Sequence, residues 1–405
     1  MSYQSISDSI DQILQYGQGT LIAKADIEAA YRIVPIHPTS FHLLGFSWRN
    51  HYFVDIMLPF GLAVSCNFFD CFSRALVWVL QNTFRVPSLT FILDDFVFFG
   101  PSCSPTCQKS LSAFYTLAAI INLPIKQAKT VTPTTRAIIL GILFDTVKLA
   151  AMLPEDKLTK AKAGLDLLAA AGTVTLRELQ SVIGFLNFTC QIMPGGRAFL
   201  RRLYDLAAGV RRRHHRLRVT QTAKLDVRAW RSFLDKYEGM SLLRNHRWTN
   251  ETYDVLRTDA SGTRGYAAIL GAQWIGGTWT GKWKRFHISV QELYPIVVGL
   301  AVWGPILANS CVQIESDNSA MVASINKQTS KHKTVMQLIR RLVVISLSHN
   351  ILFKAKFVPG HKNKLADALS RLQFNQAFEI APRLQRSPID VPPHLSQESI
   401  LQTNY

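Results

Sequence analysis

The chain is poor in cysteine and in carboxylates for its length. Six cysteines among 405 residues (Cys66, Cys71, Cys103, Cys107, Cys190 and Cys311) give no disulfide framework. Cys103 and Cys107 lie close together, but no second Cys/His pair follows at zinc-finger spacing. All six are expected as reduced thiols of an intracellular protein, cytoplasmic or nuclear. The amino terminus, MSYQSISDSIDQ, is polar and is not a signal peptide. Long hydrophobic runs are scarce too. Leu293 to Ala308 is almost wholly apolar, but it is shorter than the ~20 residues a membrane span needs and it carries Pro295 and Pro305. A buried core helix is expected there, and no membrane partner. No internal repeat is visible.

Basic residues are abundant where acids are not. Lys and Arg number 45 against 27 Asp and Glu, a formal net charge of +18. That balance favours a polyanionic partner, nucleic acid ahead of an acidic membrane surface. Apolar residues make up 48%, enough for two or three cored domains. Residues 1–148 mix strand-like runs with helical patterns. Residues 149–250 read as helical, with a capping box at Thr175 to Glu178 and a break at Gly195-Gly196. RRRHHRLR (211–218) is the densest positive run, readable either as a solvated linker or as a phosphate contact. Residues 251–372 open, from Tyr253, with three strands (YDVLRT, GYAAIL, QWIGGTW). An apolar helix, the strand VQIES, helices, the strand ILFKAKFV and a last helix follow, a mixed α/β sheet. The proline-bearing tail, 373–405, is expected to be disordered.

Two sets of acids stand out. In FILDDFVFFG (91–100) two apolar runs flank Asp94-Asp95, which predicts a β-hairpin with the acid pair at its tip. Asp26 follows the apolar run LIAKA, and an acid leaving a buried strand is costly unless a cation or hydrogen bonds satisfy it. Three carboxylates so placed would repel one another, and magnesium relieves such repulsion. Two ions there suit nucleotidyl transfer. The second set is Asp259 (LRTDASG), Glu292 (ISVQELY), Asp317 (IESDNSA) and Asp367 (NKLADALSR). All four fall at strand ends or helix starts that converge on one end of a sheet. Such a set suits two-metal phosphodiester hydrolysis, although any one acid alone reads as a cap or turn.

AKADIEAAYRIVPIHP, LPFGLAVSCNFF, FILDDFVFFG and the run from Lys126 through LGILFDT fall in the order of reverse transcriptase palm motifs. DASG, SDN and ADALSR, in that order, resemble the ribonuclease H domain of retroelements. HLLGFSWRNHYFVDIMLPFGL, LQSVIGFLNFTCQIMPGGRAFLRRLY and the pairing of SINKQ with NKLADALSR look closest to DIRS-type (tyrosine-recombinase) retrotransposons, with gypsy-like elements next. The resemblance implies an α+β palm with a ferredoxin-like core, a helical thumb and connection, and an α/β ribonuclease H-like domain. It implies Mg2+ or Mn2+, two ions per site. Its implied partners are an RNA template, a DNA primer, deoxynucleoside triphosphates and the RNA-DNA hybrid, with a recombinase encoded elsewhere in the element.

By the same resemblance, Asp26, Asp94 and Asp95 are metal ligands and the Ile27 carbonyl contributes another. Tyr31 is the aromatic steric gate against a ribose 2′-hydroxyl. Phe60 and Gly61 form the turn cradling template and incoming base. Lys129 lies near the triphosphate, with Lys126 its rival. Asp259, Glu292, Asp317 and Asp367 hold the nuclease metals, His361 assists product release, and Asn318 and Ser261 contact substrate. Trp274, Trp279 and Trp283 are read as core residues ahead of a role in stacking on the hybrid. Cys66 stands where the family usually has proline. Residues 1–20 alone precede the LIAKAD strand, where the family places a finger segment, so the sequence reads as a truncated copy with impaired DNA synthesis. Three readings stay open: a bifunctional polymerase and nuclease, a nuclease only, and a non-catalytic nucleic-acid-binding relic.

Overall fold

Small residues alternating with polar ones in LIAKAD, and aromatics in FVFFG, decide the first sheet. The computed structural model describes residues 3–235, 239–241, 255–308 and 310–402. The chain divides into two compact units, Met1–Glu155 with Glu238–Leu243, and Asp156–Tyr237 with Arg244–Tyr405. In the first unit, α1 (Ile6–Tyr16) precedes β1 (Leu21–Asp26) and the hairpin of β2 (Gly45–Trp48) and β3 (His51–Val54). Then come α2 (Ser65–Asn82), β4 (Leu89–Ile92), β5 (Asp95–Gly100), α3 (Thr106–Ile120) and β6 (Val131–Thr134). The sheet order is β4-β5-β1-β6, antiparallel where β5 meets β4 and where β1 meets β5 and β6. With a helix after β1 and another after β5, this is the β-α-β-β-α-β split unit of a ferredoxin-like core, as expected for a palm.

Ala23 and Ala25 face one side of β1, and their small size leaves room for rings. Phe69, Phe96, Phe98 and Phe114 fill it, with ring centroids 4.8 Å (Phe96 to Phe114) and 5.7 Å (Phe98 to Phe114) apart. The opposite face of β1 carries Lys24 and Asp26. A second antiparallel sheet in this unit contains β7 (Arg136–Ile139), β8 (Ile142–Asp145) and β9 (Ala150–Met152).

The second unit starts with helical segments: α4 (Glu155–Ala170), the short strand β10 (Thr173–Thr175), α5 (Leu176–Thr189), α6 (Arg201–Ala207), β11 (Arg216–Arg218) and α7 (Gln221–Asp235). The expected capping box is present: Glu178 N–H donates to Thr175 Oγ1 (3.2 Å) and Thr175 N–H to Glu178 Oε2 (2.7 Å). In the basic run, the carbonyls of Arg213 and His215 accept from Arg177 and Leu176 N–H, so its backbone caps α5 while Arg211, Arg212 and Arg213 face solvent. β12 (Met240–Ser241) belongs to the first unit and extends its second sheet beside β9.

Five strands follow: β13 (Leu256–Ala260), β14 (Gly265–Leu270), β15 (Gln273–Thr278), β16 (Cys311–Ser316) and β17 (Leu352–Phe357). Their order is β15-β14-β13-β16-β17, with β13/β16 and β16/β17 parallel and the rest antiparallel. Helices α8 (Ile288–Val302), α9 (Ser319–Lys327), α10 (Lys333–Ser348), α11 (Lys364–Ser370) and α12 (Phe374–Ile380) complete the unit. This is the ribonuclease H-like α/β arrangement expected. The proposed boundary at 250/251 and the start of YDVLRT fall outside the described residues. The run from Leu293 is α8, buried continuously from Val290 to Leu300, a core helix despite Pro295. No described helix is long and apolar enough to cross a membrane.

The tail departs from expectation. Residues 373–402 do not lie free: α12 forms, and Leu384, Leu395 and Ile400 are buried. The cause is hydrogen-bond supply. Trp274, Trp279 and Trp283 are buried in the core, and a buried indole N–H needs an acceptor. Tail carbonyls provide two: Gln385 O for Trp274 (2.9 Å) and Gln397 O for Trp283 (2.6 Å). Leu395 O likewise accepts from Tyr294 (3.0 Å). Prolines break periodicity but leave carbonyls free, so sequence periodicity missed this packing.

Gly196 is required by close approach. A Cβ there would sit 2.1 Å from the ring of Trp230, which is fully buried. Gly196→Ala is expected to destabilise the second unit by about 1–3 kcal/mol or more, as overpacked cores do. Urea unfolding followed by tryptophan fluorescence checks this. An unchanged midpoint would mean that Trp230 repacks without cost.

Candidate active sites

The hairpin between β4 and β5 turns at Leu93-Asp94, so Asp94 sits at the tip and Asp95 begins the return strand. Leu93 holds φ at 53°, a left-handed conformation that a branched side chain adopts only when its surroundings enforce it. Ile27 N–H fixes the tip by donating to Asp94 O (3.0 Å). Asp26 and Asp95 are directly opposite in the β1–β5 ladder, so their side chains share one face. Both are met by lysine. Lys129 Nζ lies 2.7 Å from Asp26 Oδ2, and Lys24 Nζ lies 3.0 Å from Asp95 Oδ1. Burial raises the Asp95 carboxyl above its ordinary value, and the Lys24 ammonium opposes that shift. The carboxylate of Asp26 raises the pKa of Lys129. Lys126, the rival, offers Asp26 only its backbone N–H (2.8 Å, to Asp26 O).

Tyr31 stands beside this turn. Its ring packs edge-on against Phe60 (5.0 Å) and Phe69 (5.4 Å), and its hydroxyl lies 3.0 Å from Cys66 Sγ. Burial, the Cys66 contact and the charge of Asp94 together push its phenol up to about 12. Phe60 is exposed, and Gly61 turns the chain at φ 87°. Asp26, Asp94, Asp95, Tyr31, Phe60 and Lys129 are thus brought to one end of the first sheet.

The second set is tighter. Asp259 lies in β13, Glu292 in α8, and Asp317 directly follows β16. Ligand oxygens of these three all lie within 4.8 Å of one another. Asp259 and Glu292 are buried and Asp317 half-buried. Burial, with the charges of Asp259 and Asp317, pushes Glu292 up to about 9, and burial with Asp317 and Asp367 pushes Asp259 up to about 6. Asp317 is raised as well, chiefly by burial. Glu292 Oε2 is buried without a hydrogen-bond partner. A cluster of hard oxygen donors, mutually repelling and one oxygen unsatisfied, fits a divalent cation. In the first set, two of the three carboxylates already hold an ammonium group, so the fit is poorer.

Asp367 stands apart from the close trio. Its Oδ1 pairs with Arg371 Nε at 2.7 Å, one helical turn on. His361 is exposed on the turn Gly360–Lys362, and Gly360 packs so closely that a Cβ there would lie 3.3 Å from Asp317 Oδ2. The Asn318 side chain caps α9, accepting from Met321 N–H (3.0 Å), and Ser261 Oγ accepts from Arg264 N–H (3.3 Å). Sequence reasoning missed Ser370, whose hydroxyl donates to Asp259 Oδ2, and Asn363, buried and bonded to Thr258 O (3.0 Å). It also missed Lys24 and Arg371. Spacing held the signal: Lys24 is two residues from Asp26 on a strand, and Ser370 and Arg371 are three and four residues past Asp367 on a helix.

No protein-family model matches the chain. The genome polyprotein of Petunia vein clearing virus, in the Shepherd and Hohn isolates, is 22% identical over 377 residues. That match covers 91% of this chain, and the chain spans only 16% of the polyprotein's length. Among solved structures, the foamy viral protease-reverse transcriptase in complex with dsDNA is similar with a TM-score of 0.48 and 18% identity, over 89% of this chain and 71% of that one. The same viral protein in complex with an RNA/DNA hybrid gives 0.49 and 16%, over 88% and 46%.

The acid trio has a measurable cost without metal. A Glu292 pKa of about 9 against the ordinary 4.5 means that the folded chain keeps a proton the unfolded chain releases. Stability therefore falls as pH rises between those values, and Asp259 adds to the fall at its acid end. In EDTA, Glu292→Gln should match the wild type's melting temperature near pH 5 and exceed it near pH 8. Parallel melting curves across that range would show that Glu292 ionises freely in the fold.

Proposed function

We propose that this chain is the reverse transcriptase and ribonuclease H part of a retroelement polyprotein, and that hydrolysis of RNA in an RNA-DNA hybrid is the activity its geometry supports best. One observation carries the reading: three buried or half-buried carboxylates from β13, α8 and the end of β16, with oxygens within 4.8 Å and one left unsatisfied. Asp259, Glu292 and Asp317 would hold Mg2+ or Mn2+, with Asp367 the fourth acid. Bound there in a pair, such ions supply an activated water and charge stabilisation of the leaving 3′ oxygen. Ser370 orients the Asp259 carboxylate, and the Gly360 turn lets the loop bearing His361 lie against Asp317. The net charge of +18 supports a polyanionic substrate.

The palm supports RNA-directed DNA synthesis as the companion activity. Its ferredoxin-like connectivity and the grouping of Asp26, Asp94, Asp95, Tyr31 and Phe60 favour that assignment. Primer, template and deoxynucleoside triphosphates would be its substrates, with Lys129 near the triphosphate. The ion pairs on Asp26 and Asp95 favour the narrower reading, a nuclease only. The DIRS-like phrases around Phe46, Leu58 and Ile183 support a DIRS-type source, and with it a recombinase encoded elsewhere.

Paired variants of the full chain test both readings. With magnesium or manganese, Asp317→Asn is expected to lower cleavage of a labelled RNA strand in a hybrid by orders of magnitude. Asp94→Asn is expected to leave cleavage intact and to remove primer extension on an RNA template. Wild-type cleavage by Asp317→Asn would sink the nuclease assignment. Undiminished extension by Asp94→Asn would sink the palm assignment.

A further inference from the structure

The hairpin of β2 and β3 leaves all eight of its strand residues exposed. Its turn, Arg49-Asn50, holds both residues at positive φ (47° and 61°), the two-residue geometry that suits the twist of paired strands. The pairing sets Phe46 opposite Phe53 and Trp48 opposite His51. Side chains alternate along a strand, so these four rings share one face. Phe46 and Phe53 stack at 5.4 Å and 20°, and His51 lies 6.4 Å from Phe53. The Arg49 guanidinium sits 5.5 Å above the Trp48 ring. Phe46, Trp48 and Phe53 are 53%, 63% and 44% exposed. A row of rings this open in water marks a contact surface.

Charge selects the kind of partner. From Glu28 to Asp55 the sequence carries no other acid, while His37, His42, Arg49 and His51 lie between. Asp55 itself is held by Arg32 Nη1 at 2.6 and 2.7 Å. The segment that carries the face is therefore aromatic and cationic, and Asp55, the acid at its end, is already paired. Rings two residues apart on a strand are spaced by roughly 6.7 Å. That is about twice the ~3.4 Å per nucleotide of a stacked strand, which suits an extended chain laying one base on each ring pair. A duplex keeps its base faces buried in its own stack. Only unpaired bases present them to such a row.

We propose that the β2–β3 hairpin is a stacking platform for single-stranded nucleic acid, with bases on the Phe46/Phe53 and Trp48/His51 pairs and Arg49 at the adjoining phosphate. None of these residues belongs to either acid cluster, and the test needs no catalysis. Fluorescence anisotropy of the full chain with a labelled mixed-sequence single strand, and with a blunt duplex of the same sequence, reads it directly. Trp48→Ala, and the double substitution Phe46→Ala with Phe53→Ala, should each weaken single-strand binding by roughly tenfold and leave duplex binding nearly unchanged. Trp48→Phe should retain most of the affinity. These side chains are exposed, so the variants should keep the wild-type circular dichroism and melting temperature. Unchanged single-strand affinity, or an equal loss for single strand and duplex, overturns the proposal. So does a loss of self-association in sedimentation with single-strand binding intact, which would assign the face to a second copy of the chain.

Discussion

Repulsion between like charges at the ends of strands is the constraint on which both candidate sites turn. A strand end delivers a side chain to a fixed point, and both sheets deliver acids there. In water such carboxylates would be separated by solvent. Held by a ladder they cannot separate, so something must compensate them or they must keep their protons. The first sheet compensates with cations of its own: Lys129 for Asp26 and Lys24 for Asp95. Among the described residues, the one ion pair in the second set is on the outlying Asp367, through Arg371, whose charge acts on Asp259 and Asp317 without pairing with them. The inner trio takes one hydroxyl, from Ser370, and backbone hydrogen bonds at Ala260 and Asp317, and its pKa values are still pushed upward.

That difference is built into the surroundings. Glu292 emerges from a helix buried for eleven consecutive residues, so no lysine can reach it without being buried as well. Asp26 sits at the end of an interior strand, where Lys129 reaches in from an exposed turn, half of its side chain remaining in water. A cation from solution therefore gains more at the second site, where it removes an existing penalty. At the first site it must displace ammonium groups already in place. The support around the second site follows the same logic: Asn363 ties the loop before α11 to Thr258, next to Asp259, and Gly360 has no side chain to push Asp317 away.

Much of this could be read from the sequence, because the relevant signals were local. GYAAIL and VQIES mark their strands almost to the residue, and the acids fall at the element ends where pattern placed them. The capping box at Thr175 formed as its spacing implied. What pattern could not reveal depends on partners distant in sequence. Lys129 meets Asp26 across 103 positions, and Ser370 meets Asp259 across 111. The tail was misjudged for the same reason. Its order comes from carbonyls offered to tryptophans more than 100 residues earlier, and periodicity carries no trace of that exchange.

Charge inside the second unit shows that its makeup is not simply basic. Asp226, wholly buried in α7, takes Arg202 of α6 at 2.8 Å and Arg340 of α10 at 3.1 Å. A buried ion group of this kind contributes little net stability, but breaking it leaves an uncompensated charge that costs several kcal/mol. It therefore specifies one packing of the helical segments against α10, the neighbour of α8. Gly195 and Gly196 make the same contact sterically, the first against Val343 of α10 and the second against Trp230 of α7. A helix bearing a proposed metal ligand gains from such over-determination. Metal ligation tolerates displacements of a few tenths of an ångström, and α8 brings Glu292 to its trio only as precisely as its neighbours hold it.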